Sequence, residues 1–262
     1  MKTPTVLPMD IRLMQAATRA LVALAVLVCL GGALWWAVRL PVFSLQAITV
    51  EGEVTRNNAV TLKANVVPQL QGNFFTLRLE QARAAFEAVP WVRTVVVHRE
   101  FPNRLRVEMR EHQPFALWGD EGASTLLNRQ GQVFEANVDD TEIEGMPRLK
   151  GPDSQSQQVL AMYRLLRPML QGLDMDIGEL ELSPRGSWRL ATDRGAVIEL
   201  GRGTPQEIGE QLQLFLRTLT QVSARYGRTP RALAGADLRH KDGYALRLQG
   251  VATLENDPRK KP

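Results

Sequence analysis

Residues 20–38, ALVALAVLVCLGGALWWAV, carry no charged side chain and are bracketed by Arg19 and Arg39. As a helix rising about 1.5 Å per residue, this stretch spans about 28 Å, close to the hydrocarbon thickness of a bilayer. A helix in a soluble core keeps a polar face, and this one has none. Gly31 and Gly32 weaken a soluble helix but are tolerated in a membrane one. Trp35 and Trp36 stand at the far end, where aromatic rings favour the headgroup layer. A cleaved signal peptide has a shorter apolar core followed by a small-x-small site, and RLPVF follows here, with only residues 45–47 (LQA) as a weak match. Val28 before Cys29 does not suit lipoprotein processing, which takes a small residue there. The stretch reads as a retained membrane anchor, with Arg19, Trp35, Trp36 and Arg39 at the membrane interfaces.

Lys2, Arg12 and Arg19 outweigh Asp10 before the span, whereas only Arg39 follows it before Glu51. Positive charge is retained on the cytoplasmic side. Residues 1–19 are therefore expected as a cytoplasmic tail, residues 20–38 as the span, and the rest as an exported body. The only cysteine, Cys29, lies in the span. The body thus has no disulfide and no thiol nucleophile, and must be held by its own core. A net charge of +4 is mildly basic, which for an exported body means a solvated surface rather than a nucleic-acid site.

Beyond the span, residues 44–50 (SLQAITV) read as a strand closed by Glu51-Gly52. Thr55 is placed to cap a helix over residues 56–67, with Val60, Ala64 and Val67 inward and Pro68 at its end. Thr76 starts a second helix with Leu79, Ala82 and Phe86 inward, stopped by Pro90. Strands follow at residues 92–99 and 104–111, the latter alternating Leu105, Val107 and Met109 with charges. Strand, helix, helix, strand, strand is a compact α+β unit. After Pro114 come short strands at 115–118, 125–127 and 132–134, then a helix over 156–170 striped by Val159, Tyr163, Leu166 and Leu170. Strands at 179–182, 187–191 and 196–200 precede a helix whose start is signalled by Thr204, Pro205 and Glu207. Its inward stripe is Ile208, Leu212, Phe215, Leu219 and Val222. Lys241-Asp242-Gly243, between residues 237–240 and 244–248, reads as a hairpin turn, and residues 251–262 as a flexible tail.

No catalytic, metal or cofactor site emerges. His98, His112 and His240 are far apart and lack ligand spacing, and neither a G-x-S-x-G elbow nor a phosphate-binding loop is present. Gly201-Arg202-Gly203 suits a strand-to-helix turn. Glu108 and Glu111, set among arginines, read as cross-strand ion pairs; Arg93, Arg99, Arg104, Arg106 and Arg110 read as a solvated face or, because this unit lies next to the span, as a surface for anionic headgroups or an acidic partner. If residues 244–248 lie at a sheet edge, their free N–H and C=O groups can accept another chain's strand.

Several separated motifs together resemble the bacterial cell-division family FtsQ/DivIB. They are ITVEG (48–52), GNFFTL (72–77), PWV (90–92), VHREFP (97–102), EHQPFALW (111–118), NRQGQVF (128–134), LGRG (200–203) and ADLRH (236–240). The resemblance implies a single transmembrane helix, a POTRA domain over 44–112 and a mixed α/β domain over 113–250 with a C-terminal antiparallel sheet. It also implies a non-enzymatic inner-membrane scaffold of the division septum. Such a scaffold recruits FtsB- and FtsL-like coiled-coil partners by strand addition to its last strand and connects them to septal wall synthesis. Other division proteins would meet the POTRA domain and the span, with no nucleic acid and no small-molecule substrate. The matching partner positions are Arg239, His240, Asp242, Gly243, Tyr244, Ala245, Leu246, Arg247 and Leu248. The family pattern carries tyrosine where His240 stands, which makes Tyr244 the ring available as an anchor. The rival architecture is a POTRA-bearing chaperone-like subunit of a secretion system, which would carry a signal peptide and repeated POTRA units or a barrel. A tethered wall hydrolase would need a catalytic constellation.

Overall fold

The computed structural model describes residues 9–122, 124–240 and 243–251. Helix α1, Met9–Val38, starts well before residue 20, and its Leu13–Val38 portion is long and apolar enough to cross a membrane. The chain divides into two compact units, Met1–Glu111 and His112–Pro262.

In the first unit, strand β1 (Ala47–Gly52) is followed by helices α2 (Ala59–Val66) and α3 (Leu79–Glu87), then by β2 (Val92–Glu100) and β3 (Arg104–Glu111). The sheet order is β1-β3-β2, with β1 parallel and β2 antiparallel to β3. Leu105, Val107 and Met109 of β3 are buried while every second residue is exposed, so one face takes both helices. Leu62 and Val66 of α2 and Ala85 and Phe86 of α3 pack there with Val107 and Met109.

The starts of these elements differ from expectation for identifiable reasons. Ser44 belongs to a turn, its N–H bonded to the Pro41 carbonyl, so β1 begins at Ala47. Thr55 does not cap α2. The N–H groups of Thr55, Arg56 and Asn57 are taken by the Glu111 carboxylate at 2.9–3.1 Å, which holds them out of the helix. Asn58 caps instead, its Oδ1 accepting from the Thr61 N–H at 2.7 Å. With that later start the buried pair is Leu62 and Val66, and Val60 is 76% exposed. Residues 73–76 form a turn around Asn73, whose Oδ1 accepts from the N–H groups of Phe75 and Thr76, so α3 begins beyond Thr76. Glu111 is thus a buried anchor for a loop rather than a member of a cross-strand ion pair.

The second unit is built on one nine-stranded mixed sheet. Its strands are β4 (Pro114–Trp118), β5 (Thr125–Asn128), β6 (Val133–Glu135), β7 (Arg148–Lys150), β8 (Ile177–Leu182), β9 (Trp188–Thr192), β10 (Val197–Gly201), β11 (Leu233–Asp237) and β12 (Ala245–Leu248). Across the sheet the order is β12-β11-β10-β9-β8-β7-β4-β5-β6. A short helix, α4 (Asp140–Ile143), precedes β7. The pairs β4·β7, β7·β8 and β10·β11 are parallel and the rest antiparallel, including the last pair, β11·β12. A parallel pair needs a crossover. Helix α5 (Ser156–Gln171) joins β7 to β8, and α6 (Pro205–Arg225) joins β10 to β11. The stripe Val159, Tyr163, Leu166 and Leu170 of α5 meets Ile208, Leu212, Phe215 and Leu219 of α6 in one core with Trp188, Leu190 and Ile198. Ion pairs such as Arg189–Glu199, 3.1 Å, and Lys150–Glu179, 3.2 Å, involve the strand positions that alternate with the buried ones.

The start of α6 follows its sequence signals. The Thr204 Oγ1 accepts from the Glu207 N–H, and the Glu207 carboxylate accepts from the Thr204 N–H at 2.8 Å. Gly201, with φ of +81°, turns the chain from β10 toward that cap. Two strands depart from the sequence reading: β7 was not expected, and the last strand has a different partner. The partner of the last strand is Leu233–Asp237, not residues 237–240, because the chain leaves the ladder once Asp237 turns back to bind Arg239.

Candidate partner-binding edge

β12 ends the sheet, and among the described residues it pairs with β11 alone. Its register is Asp237↔Ala245, Ala236↔Leu246 and Gly235↔Arg247, with an irregularity before Leu233↔Leu248. The Leu238 N–H bonds to the Glu199 carbonyl at 2.8 Å, on the β10 side. Backbone groups alternate sides along a strand, so Gly235 and Asp237 face β12. Ala245 and Arg247 then bond inward to β11, and the N–H and C=O of Leu246 point to the open edge.

Side chains alternate as well. Leu246 is partly buried against the core and Leu248 is buried, whereas Ala245 and Arg247 are exposed. Tyr244 lies on the core side, its ring 4.9 Å from that of Phe215 in an edge-on contact, and its hydroxyl donates to Thr218 Oγ1 at 2.7 Å. The ring named as a possible anchor for a partner is therefore already engaged by α6. Its hydroxyl bond and ring contact fix the approach to β12 instead.

Arg239 is bidentate to Asp237, with Nε–Oδ1 of 2.9 Å and Nη2–Oδ2 of 2.6 Å, and its own N–H also reaches Oδ1. Hydrogen bonds from the Arg239 side chain, then from its backbone, bring the Asp237 carboxyl down to about 2. The two residues flank the end of β11, beside the start of β12. His240 and Gly243 are exposed, and Asp242, with Lys241, lies outside the described residues. Eight of the nine expected partner positions, all but Asp242, thus fall into two groups. Tyr244, Ala245, Leu246, Arg247 and Leu248 form or adjoin the edge strand, while Arg239, His240 and Gly243 belong to the connection leading to it. β11 itself was missed because Gly235 and Ala236 carry little β-propensity; their strand conformation is imposed by parallel pairing with β10.

At the other end of the chain, Trp35 and Trp36 are exposed near the end of α1, and the Arg39 guanidinium lies 3.8 Å from the Trp35 ring centroid. Arg19 is exposed within the same helix. Among the described residues, no group of three His, Cys, Asp or Glu side chains is arranged to hold a metal ion. His112 stacks on Phe134 at 4.2 Å and its Nδ1 lies 2.8 Å from the Asn128 amide. Arg106 pairs with Glu100 at 3.0 Å, on the exposed face of the three-stranded sheet.

Residues 43–112 match the family model described as POTRA domain, FtsQ-type, and residues 116–239 match that of cell division protein FtsQ/DivIB, C-terminal. The second match ends short of β12. Cell division protein FtsQ of Thiomonas arsenitoxydans is 40% identical over 95% of this chain and 91% of its own length. The Burkholderia pseudomallei protein of that name is 34% identical over 94% of this chain and 96% of its own. The Bordetella pertussis one is 34% identical over 91% and 92%. Two family models in the expected order, and relatives aligned along nearly the whole chain, place it: the chain belongs to the FtsQ/DivIB family of cell-division proteins.

Proposed function

We propose that this cell-division protein is a non-enzymatic, single-pass inner-membrane scaffold. Residues 1–19 would lie in the cytoplasm and residues 20–38 would span. A POTRA domain over 44–112 and a second domain over 113–250 would stand in the periplasm. The orientation rests on Lys2, Arg12 and Arg19 before the span. FtsB- and FtsL-like partners add a strand to β12 and are thereby linked to septal wall synthesis, while the POTRA domain and span meet other division proteins. The observation that carries this reading is the open edge of β12: among the described residues no strand lies beyond it, and the N–H and C=O of Leu246 face outward, between side chains that alternate toward core and solvent. Main-chain bonds supply affinity in such an arrangement, and side-chain alternation sets register.

The test is photo-crosslinking in cells from Ala245 and Arg247, whose side chains leave the core undisturbed. Capture of a small coiled-coil membrane protein, lost with Leu246→Pro, supports strand addition, because proline removes the outward N–H. The variant's circular dichroism and melting must match the parent. No capture from the edge, together with capture from crosslinkers at Arg106 or Arg110, refutes it.

A further inference from the structure

Four phenylalanines gather where the membrane helix meets the three-stranded unit. The ring centroids of Phe43 and Phe75 are 4.8 Å apart, those of Phe74 and Phe75 5.2 Å, and those of Phe74 and Phe101 5.9 Å. Phe74 is buried and roots the cluster, but Phe101 is 72% exposed, Val42 59% and Phe75 46%. Single exposed apolar residues are ordinary in water; a contiguous aromatic cluster beside a membrane helix is not.

The cluster is joined to that helix by direct bonds. Asn73 Nδ2 donates to the carbonyl of Val38, the last residue of α1, at 2.6 Å. The Phe74 N–H donates to the Phe43 carbonyl at 2.9 Å, and Asn103 Nδ2 reaches the Val42 carbonyl at 3.3 Å. The turn carrying Phe74 and Phe75 and the β2–β3 turn carrying Phe101 are both tied to the segment leaving the helix.

Length fixes the level at which this happens. Residues 20–38, bounded by Arg19 and Arg39, rise about 28 Å and match a hydrocarbon core of about 30 Å, so Val38 ends the span at its outer face. Trp35 and Trp36 in the final turn, and Arg39 just beyond it, therefore reach the headgroup layer. Groups bonded to Val38 lie at that same level. Interfacial apolar faces sink about 5–10 Å into the headgroup and acyl boundary.

We propose that Phe43, Phe75 and Phe101, with Val42, seat in the headgroup layer of the bilayer that α1 crosses, and so clamp the three-stranded unit in one orientation on the membrane. Arg104 follows the β2–β3 turn and Arg99 holds the Leu77 carbonyl at 2.5 Å, which brings cations to the rim of the patch where anionic headgroups favour them. The proposal depends on α1 spanning the bilayer. It is independent of what β12 binds.

The test uses the full chain with Cys29→Ala, reconstituted in vesicles of phosphatidylethanolamine and phosphatidylglycerol. A fluorophore is placed through Phe75→Cys or Phe101→Cys, and quenching by lipids brominated near the headgroup is compared with quenching by aqueous iodide. Leu24→Cys reports insertion of the span, and Val96→Cys reports the exposed face of the same sheet. Probes at 75 and 101 are expected to show severalfold stronger lipid quenching than the probe at 96, and weaker iodide quenching. Iodide quenching at 75 and 101 equal to that at 96, with Leu24 still quenched by lipid, overturns the proposal while leaving the span intact. Shielding from both quenchers overturns it in favour of burial against protein, within the chain or in a second copy. Loss of lipid quenching at Leu24 defeats the spanning reading instead. Should either labelled chain melt below its parent, Val42→Cys, on the same exposed patch, takes its place.

Discussion

Glu111 closes β3 with a side chain 5% exposed that accepts from the N–H groups of Thr55, Arg56 and Asn57 and from the Asn57 amide. Successive backbone N–H groups converging on one carboxylate form an anion-binding nest. The carboxylate holds the β1–α2 loop in the position from which Asn58 can cap α2. Glu111→Ala leaves these donors without an acceptor. Each buried donor so stranded costs about 1–3 kcal/mol, but Thr55 and Arg56 are near enough to the surface to regain water. Only the Asn57 N–H and amide are left fully stranded, which puts the loss at about 2–6 kcal/mol. For a unit of this size each 1 kcal/mol shifts the melting midpoint by about 4–8 °C, so the first unit should melt at least about 8 °C lower. Glu111→Gln keeps one acceptor oxygen but turns an N–H₂ toward the remaining donors, so it should recover less than half of the loss. Hydrogen exchange with the full chain in detergent resolves the two units: amides 55–57 should lose protection first, then α2, while α5 and α6 stay unchanged. A midpoint shift under about 0.5 kcal/mol with protection of 55–57 intact refutes the anchoring role, since it falls within the range of an ordinary surface change.

Three further outcomes follow from single features. Gly52 sits at φ of +108° and a Cβ there would run into the Met109 carbonyl oxygen, so Gly52→Ala should destabilise the first unit by at least about 2 kcal/mol in urea unfolding. Tyr244→Phe removes the bond to Thr218 but keeps the ring on Phe215, so it should cost about 1 kcal/mol and raise hydrogen exchange at 245–248 without altering the midpoint of the first unit. Asp237 and Asp176 are held low by Arg239 and Arg167, and Glu207 by the Thr204 backbone N–H. A carboxyl lowered on folding stabilises above its unfolded value near 4 and loses that contribution as pH falls toward 2. Urea midpoints of the second unit should therefore be flat from pH 7 to about 5 and fall below 4, less steeply in Asp237→Asn.

The sequence by itself determined the parts whose signals are local. An uncharged stretch of nineteen residues specifies a membrane-length helix, because backbone groups in lipid must be satisfied within the segment. The alternation of Leu105, Val107 and Met109 specifies β3 to the residue, and Thr204 with Glu207 specifies where α6 starts, because a side-chain period and a capping box act within a few residues. The order of motifs was enough to point to the family. Tertiary structure decided what depends on distant partners. Glu111 reaches back across more than fifty residues to occupy the amides of 55–57, and so moves the start of α2 and the face it buries. Gly235 and Ala236, weak strand formers, become β11 only because α6 returns the chain parallel to β10. That crossover leaves β12 as the outermost strand. Which strand ends with an open edge is a property of the assembled sheet order, and no local pattern in residues 244–248 encodes it.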